Sequence, residues 1–433
     1  MNKQFQAAAV MVAVGCLVSA QSRAASKAHF AVGPDCNQEL LLSTIASTTD
    51  SLDINIYEIK SEKITKAIVD RIKDGVTVRM LVEGQPVGGV SQIEKKNLDK
   101  IRDAMSAQRN SDNKLYIMTG ERADRRYVYD HAKYLVADGS TVLVSSDNFS
   151  PTGHSDPHTV GNRGWDIVIE NNAALAKKLT RMFEGDADPD AGDVVSVAKG
   201  DRMPVKEAKS DAEGVAKQRT NDSFAVGDGT VDGAELVVSP KSEPGLVKFI
   251  RSAQEHLEIQ HMSFPSQWRV SSSSDPTPSP LVSEAVAAAQ RGVKVRVLLN
   301  DESSFGGGES EVEETSKPNS NQATVDFINK VAKQKKLPIS AKLIDYKAVQ
   351  ITYIHNKGML ADGRYSLVSS INGTRNSVYN NREVALSVDS VDANEYYQQA
   401  FDFDWTTSRV RRSAVAQAPA DFFVMPALSE WAL

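Results

Sequence analysis

Cysteine is nearly missing from this chain. Only Cys16 and Cys36 occur in 433 residues, and Cys16 sits inside the N-terminal apolar run Ala7 to Val18. A protein cleaved behind that run keeps one thiol and has no intrachain disulfide, so its stability must come from apolar cores. Long apolar runs are missing too: the N-terminal one is about a dozen residues, short of the span a bilayer of roughly 30 Å requires of a helix. With Lys3 before it and Ser19-Ala20 and Ala24-Ala25 behind it, residues 1–25 read as a secretory signal peptide cut after Ala20 or Ala25, and a secreted or periplasmic protein is expected. Lipid anchoring at Cys16 is the alternative, but Ala13-Val14-Gly15 lacks the leucine that such a site usually carries. Positive charge is in deficit. Removing residues 1–25 deletes Lys3 and Arg23 and no acid, which takes the formal charge from −6 to −8. Such a chain has no general attraction for polyanions, which counts against a nucleic-acid substrate. Clustered metal ligands are lacking as well: His154 and His158 flank Asp156, yet Gly153 and Pro157 argue against a helix there and no third ligand is near, so this is read as a plain loop. No metal and no cofactor are expected. His29, His256 and His261 have no partner that the sequence identifies.

What is present is an internal repeat. Phe30 to Pro34, Leu52 to Tyr57 and Val76 to Val82 are strand-like and separated by helical stretches, and Leu236 to Pro240, Leu257 to Met262 and Val293 to Leu299 repeat the series. Ile64, Ala67, Ile68 and Ile72 line one helix face, with Ser61 as N-cap and Gly75 as stop; Leu281, Ala285, Ala288 and Ala289, ending at Gly292, match them. The expected organisation is a first domain over 28–185, a linker over 186–232 rich in Asp, Gly, Lys and Ser, a second domain over 233–411, and a tail over 412–433. Residues 271–280 and 306–320 read as long loops.

Within each copy lies one short pattern. His131-x-Lys133 is followed after four residues by Asp138, and His355-x-Lys357 after four by Asp362; seven histidines in this composition would give about 0.1 such matches by chance. Both copies continue alike, through Ser145-Ser146-Asp147-Asn148 and Ser369-Ser370-Ile371-Asn372. Asp138-Gly139 and Asp362-Gly363 stand between apolar runs as hairpin turns, which makes both aspartates structural. A two-residue turn would set His131 opposite Ser146 and His355 opposite Ser370, so that His131, Lys133, Ser146 and Asn148 share one face, as do His355, Lys357, Ser370 and Asn372.

Lysine, hydroxyl and amide are the donors a phosphodiester's nonbridging oxygens need. Imidazole titrates near neutrality, so one ring can attack phosphorus while a second, protonated, delivers a proton to the leaving oxygen. The two groups must flank phosphorus, and one motif cannot supply both. Paired H-x-K-x4-D followed by Ser-x-Asn resembles the phospholipase D superfamily, over roughly 30–185 and 233–410. The resemblance implies two α/β domains of one fold, each a mixed sheet flanked by helices, related by a pseudo-twofold axis with one active site at their interface. It implies a phosphohistidine intermediate without metal, with His131 as nucleophile and His355 as general acid, an assignment the near symmetry leaves reversible. Lys133, Lys357, Ser146, Asn148, Ser370 and Asn372 would hold phosphate. The family usually orients each histidine with a further acid; Glu383 in Asn381-Arg382-Glu383 fits, and Asp166 is the counterpart in copy one, although seven residues further from its histidine and shorter by one carbon. Phospholipid at a membrane surface is the expected substrate, with phosphatidyl transfer as a variant; the alternatives are a metal-independent nuclease, favoured only by basic runs such as Arg125-Arg126 and Arg409 to Arg412, and an inactive phosphate-binding module, which the intact motifs disfavour. Both motifs lie in one chain, which implies a monomer.

Overall fold

The computed structural model describes residues 25–408 except 109, 111, 122, 210–216, 222–223, 271–273 and 306–319. The expected signal peptide short of Ala25, the basic run at 409–412, the expected tail, and most of the loop at 306–320 lie outside the described residues.

The repeating apolar pattern builds strand, helix, strand, helix, strand twice: Ser26–Val32, Asn37–Ser47, Ser51–Ile56, Glu62–Lys73 and Thr77–Glu83, then Gly233–Ser239, Glu243–Ser252, His256–His261, Pro280–Gln290 and Lys294–Leu299. Glu62–Lys73 starts where the Ser61 side chain accepts the Ile64 amide N–H, a cap worth about 1 kcal/mol. The chain leaves it through Gly75 at φ +94°, as it leaves Pro280–Gln290 through Gly292 at φ +98°. Ile64, Ile68 and Ile72 are fully buried against the sheet, each contributing about 1.5–3 kcal/mol through removal from water.

Two mixed sheets result. The first orders its strands Val194–Val197, Lys114–Met118, Thr77–Glu83, Ser51–Ile56, Lys133–Ala137, Thr141–Ser145, Trp165–Ile169, Ser26–Val32 and Gly227–Val231. The second runs Ile339–Leu343, Lys294–Leu299, His256–His261, Lys357–Ala361, Tyr365–Ser369, Glu383–Asp389 and Gly233–Ser239. Its seven strands match the inner seven of the first in order, so one fold occurs twice. The two extra edge strands come from the stretch expected to be a mere linker: Val194–Val197 pairs with Lys114–Met118 and Gly227–Val231 with Ser26–Val32. Its alternation was too short to stand out among Asp, Gly and Ser, and edge pairing needs little apolar side chain.

Outer helices close a core on the far face of each sheet. Between the sheets lies a third core holding Tyr134, Trp165 and Phe183 of the first half and Leu360, Val384, Tyr397 and Phe401 of the second. Trp165 stacks on Tyr397 at 4.6 Å. It fits because residue 358 is glycine: a Cβ there would lie 2.4 Å from the indole.

The motif hairpins differ from their expected register by one residue. Asp138 and Gly139 take φ of +50° and +61°, and Asp362 and Gly363 +55° and +66°, the positive values of a type I′ turn. The ladders, however, resume at Ala137↔Thr141 and Ala361↔Tyr365, so Ser140 and Arg364 each bulge out as a third turn residue. His131 and His355 therefore do not stand opposite Ser146 and Ser370. Those serines come after the strands end, where the chain has left the alternating geometry.

Candidate active site

The two halves exchange backbone hydrogen bonds. Beside His131 the second half brings Asn381-Arg382-Glu383, and the His131 amide donates to the Arg382 carbonyl at 2.8 Å while the Arg382 amide donates to Tyr129 at 2.9 Å. Beside His355 the first half brings Asn162-Arg163-Gly164, with the His355 and Asn356 amides on the Arg163 carbonyl and the Arg163 amide on Tyr353, each at 2.9 Å. Both arginines then bridge the interface through their side chains. Arg163 reaches Asp404 at 2.9 Å and Asp35 at 2.8 Å, and Arg382 reaches Asp186 at 2.8 Å.

Those crossings deliver a carboxylate to each ring from the opposite half. His131 Nδ1 donates to Glu383 Oε2 at 2.8 Å. His355 Nδ1 lies 2.9 Å from Asp147 Oδ1, at ion-pair distance but without the alignment of a hydrogen bond. With Nδ1 so engaged, Nε2 is the nitrogen each ring turns to chemistry. Burial pushes the Glu383 carboxyl up to about 7, against the pull of Lys133, Ser370 and Asn381. Burial would raise Asp147 too, but His355, His154 and Lys357 hold it below its ordinary value. Burial and the Lys357 ammonium lower His355, and Asp147 pulls the other way.

Asp166, expected to orient a motif histidine, touches neither. Its carboxylate accepts from Ser145 Oγ at 2.6 Å and His154 Nε2 at 2.8 Å. Strand register explains this: Ser145↔Asp166 matches Ser369↔Ala385, so the counterpart of Glu383 is Gly164 and the counterpart of Asp166 is Ala385. His154, read as part of a plain loop, is fully buried here, and its Nδ1 donates to the Asn148 carbonyl at 3.0 Å. Since a carbonyl only accepts, the His154–Asp166 pair holds a shared proton; burial alone would lower His154, but Asp166 and Asp147 raise it. Laying Asn162-Arg163-Gly164 beside Asn381-Arg382-Glu383 could have exposed the missing acid, and Ser-Ser-Asp-Asn beside Ser-Ser-Ile-Asn its replacement.

The remaining motif side chains repeat between halves. Lys133 Nζ donates to the His131 carbonyl at 2.7 Å and Lys357 Nζ to that of His355 at 2.6 Å. Ser370 Oγ donates to Glu383 at 2.7 Å and accepts the Val384 amide; Ser146 Oγ accepts the Trp165 amide at 2.8 Å. Both hydroxyls thus serve protein groups. Asn148 donates to Glu58 at 3.0 Å, and the amide oxygens of Asn148 and Asn372 are buried with no hydrogen-bond partner among the described residues. Asp138 accepts the amides of Thr49, Asp50 and Ser51, and Asp362 those of Gln254, Glu255 and His256. Each aspartate fastens the hairpin to the start of the neighbouring central strand. Tyr57 meets the His131 ring edge-on at 4.7 Å and Tyr353 that of His355 at 5.7 Å. His29 lies between Asp228 and Glu170, while His261 is buried beside Phe264 and pushed down to about 3 by burial and Lys357. No group of three or more candidate metal ligands occurs among the described residues, and no helix among them is long and apolar enough to cross a membrane.

Two copies of one fold with paired His-Lys sites at their contact define a class, and comparison gives it a name. The family described as cardiolipin synthase, PLD-like domain, matches residues 41–187 and again 246–405. The chain belongs to that family, within the phospholipase D superfamily of phosphodiesterases and phospholipid synthases. No curated protein matches its sequence. Among solved structures, phosphatidylserine synthase of Haemophilus influenzae is similar in fold at a TM-score of 0.57 and 14% identity, over 87% of this chain and 85% of that one. Nuc of Salmonella typhimurium, a phospholipase D family member, aligns over 40% of this chain and 98% of its own at 20% identity and a TM-score of 0.33. Polyphosphate kinase of Porphyromonas gingivalis aligns over 88% and 50% at 12% identity and 0.46.

Proposed function

We propose that this chain is an exported phosphodiesterase that cleaves phospholipids, or transfers their phosphatidyl group, through a phosphohistidine. The observation that carries the reading is reciprocal: each motif histidine is held at Nδ1 by a carboxylate from the other half, which makes one bipartite site of two motifs. His131 Nε2 attacks phosphorus and the bond to the leaving oxygen breaks as His355 protonates that oxygen. Water or an alcohol then gives its proton to His355, attacks phosphorus, and releases His131. Burial and Lys357 disfavour the charged His355 while Asp147 favours it; the negative charge of a diester at the ring favours its proton further. Lys133, Lys357, Asn148 and Asn372 hold the phosphoryl oxygens, and Ser370 positions Glu383. The leader, the acidic charge, and a fold similar to that of a phosphatidylserine synthase favour lipid over nucleic acid.

The test incubates purified protein with phosphatidylcholine and with single-stranded DNA, with and without ethanol, all in excess EDTA. Release of choline, with phosphatidylethanol formed when ethanol is present, is the expected result; DNA cleavage alone would make it a nuclease. A bis(p-nitrophenyl) phosphate chase assigns the rings, since that leaving group needs little protonation. His355→Asn should show a burst of p-nitrophenolate and an acid-labile adduct at His131. An adduct at His355 in the His131→Ala protein would reverse the roles.

A further inference from the structure

We propose that Asp147 is the positioning carboxylate of His355, relocated from the strand site that Glu383 occupies in the other half, with Gly164 and His154 as the changes that let it work there. The register equates Gly164 with Glu383, Asp147 with Ile371 and Asp166 with Ala385. The backbones around these positions agree: the Asp147 amide donates to Ser145 Oγ and the Ile371 amide to Ser369 Oγ, both at 2.9 Å. One frame therefore carries its acid in two different places.

The two places exclude each other. A Cβ at residue 164 would fall 1.4 Å from Asp147 Oδ2 and 2.8 Å from Ser146 Oγ, so the first half keeps glycine where the second keeps glutamate. The second half in turn has the apolar Ile371 where the first has Asp147. Moving the acid also leaves it on an irregular turn with no strand to hold it, and here the longer connection of the first half matters: 21 residues separate Ser145 from Asp166 against 16 from Ser369 to Ala385, five more. That connection carries His154, which grips the Asn148 carbonyl next to Asp147 and pairs with Asp166; the second half has alanine in place of Asp166. The move has a chemical consequence. Glu383 holds His131 by an aligned hydrogen bond that fixes its tautomer, whereas Asp147 reaches His355 as a misaligned ion pair. Asp147 nonetheless pulls the ring toward its protonated form, against burial and Lys357.

The kinetic part of the test rests on the function proposed above; the titration does not. Nitrogen-15 histidine spectra of the unliganded protein, with His355 assigned from the His355→Gln spectrum, report its titration directly. Asp147→Asn should lower its midpoint by about one pH unit, and turnover of bis(p-nitrophenyl) phosphate should fall about 100-fold. Asp147→Ile should do the same. Adding Gly164→Glu to Asp147→Ile copies the second half's pattern and should regain about tenfold in turnover and return the midpoint toward wild type. A His355 titration unmoved by Asp147→Asn would overturn the assignment. So would a double variant that melts like Asp147→Ile yet recovers neither turnover nor titration. No turnover by the wild-type protein would sink the functional reading, and the titration would still decide this one.

Discussion

Glu383→Gln should separate stability from activity. The Glu383 carboxylate is fully buried and accepts from His131 at 2.8 Å, Ser370 at 2.7 Å and Asn381 at 3.0 Å. Burial raises it from 4.5 to about 7. The folded protein therefore keeps a proton that the unfolded chain has released. Its contribution to stability is full below pH 4.5, falls as pH rises toward 7, and stays at its lowest above that. The difference integrates to about 3 kcal/mol. Glutamine has no such dependence, but it puts an NH2 where a carboxylate oxygen accepted, at about 1 kcal/mol per hydrogen bond lost. Relative to wild type, the variant should gain stability by up to about 3 kcal/mol between pH 5 and 8, while turnover drops about 100-fold because the His131 ring loses its acceptor. Urea unfolding across that pH range, with the slope checked for constancy, measures the first quantity, and hydrolysis of a p-nitrophenyl diester measures the second. An equal stability difference at pH 5 and pH 8 would refute the perturbed carboxylate. Turnover within threefold of wild type would refute its role at His131.

His131→Ala and His355→Ala should each abolish turnover, and the double variant should be no worse than either, because both rings serve one displacement; half the activity left in one single variant would mean two independent sites. Arg163→Met removes the buried cation between Asp404 and Asp35, leaving Asp404 with only Gln260 and Asp35 with only Arg219 among the described residues, and breaking such a buried pair costs about 3–5 kcal/mol. A denaturation midpoint that shifts by less than the equivalent of about 1 kcal/mol would mean that the arginine is not what ties the halves together.

The second copy shows what sequence can carry. Glu383 is legible because Asn381-Arg382-Glu383 fits the family's pattern for an orienting acid, and the apolar stripes around Ile68 and Ala285 predict their helices because period and burial are local properties. The first copy shows where this stops. Asp166 has the right residue type on the right strand, but it projects from a position two residues along from Gly164 and is taken by His154. A hairpin turn of three residues instead of two, set by Ser140, moved the serines out of the face assigned to them. Turn length is hidden because both copies share it; the place of the acid shows when one copy is laid on the other, and that comparison is available in the sequence. Glycine at 164 against glutamate at 383, and aspartate at 147 against isoleucine at 371, are paired departures from a repeat that otherwise holds. A charge lost at one site and gained at a neighbouring one marks a function that stayed in place while its residue moved. The sheet register adds that position 164 and Asp147 stand side by side at the same ring, with a Cβ at 164 only 1.4 Å from the Asp147 carboxylate.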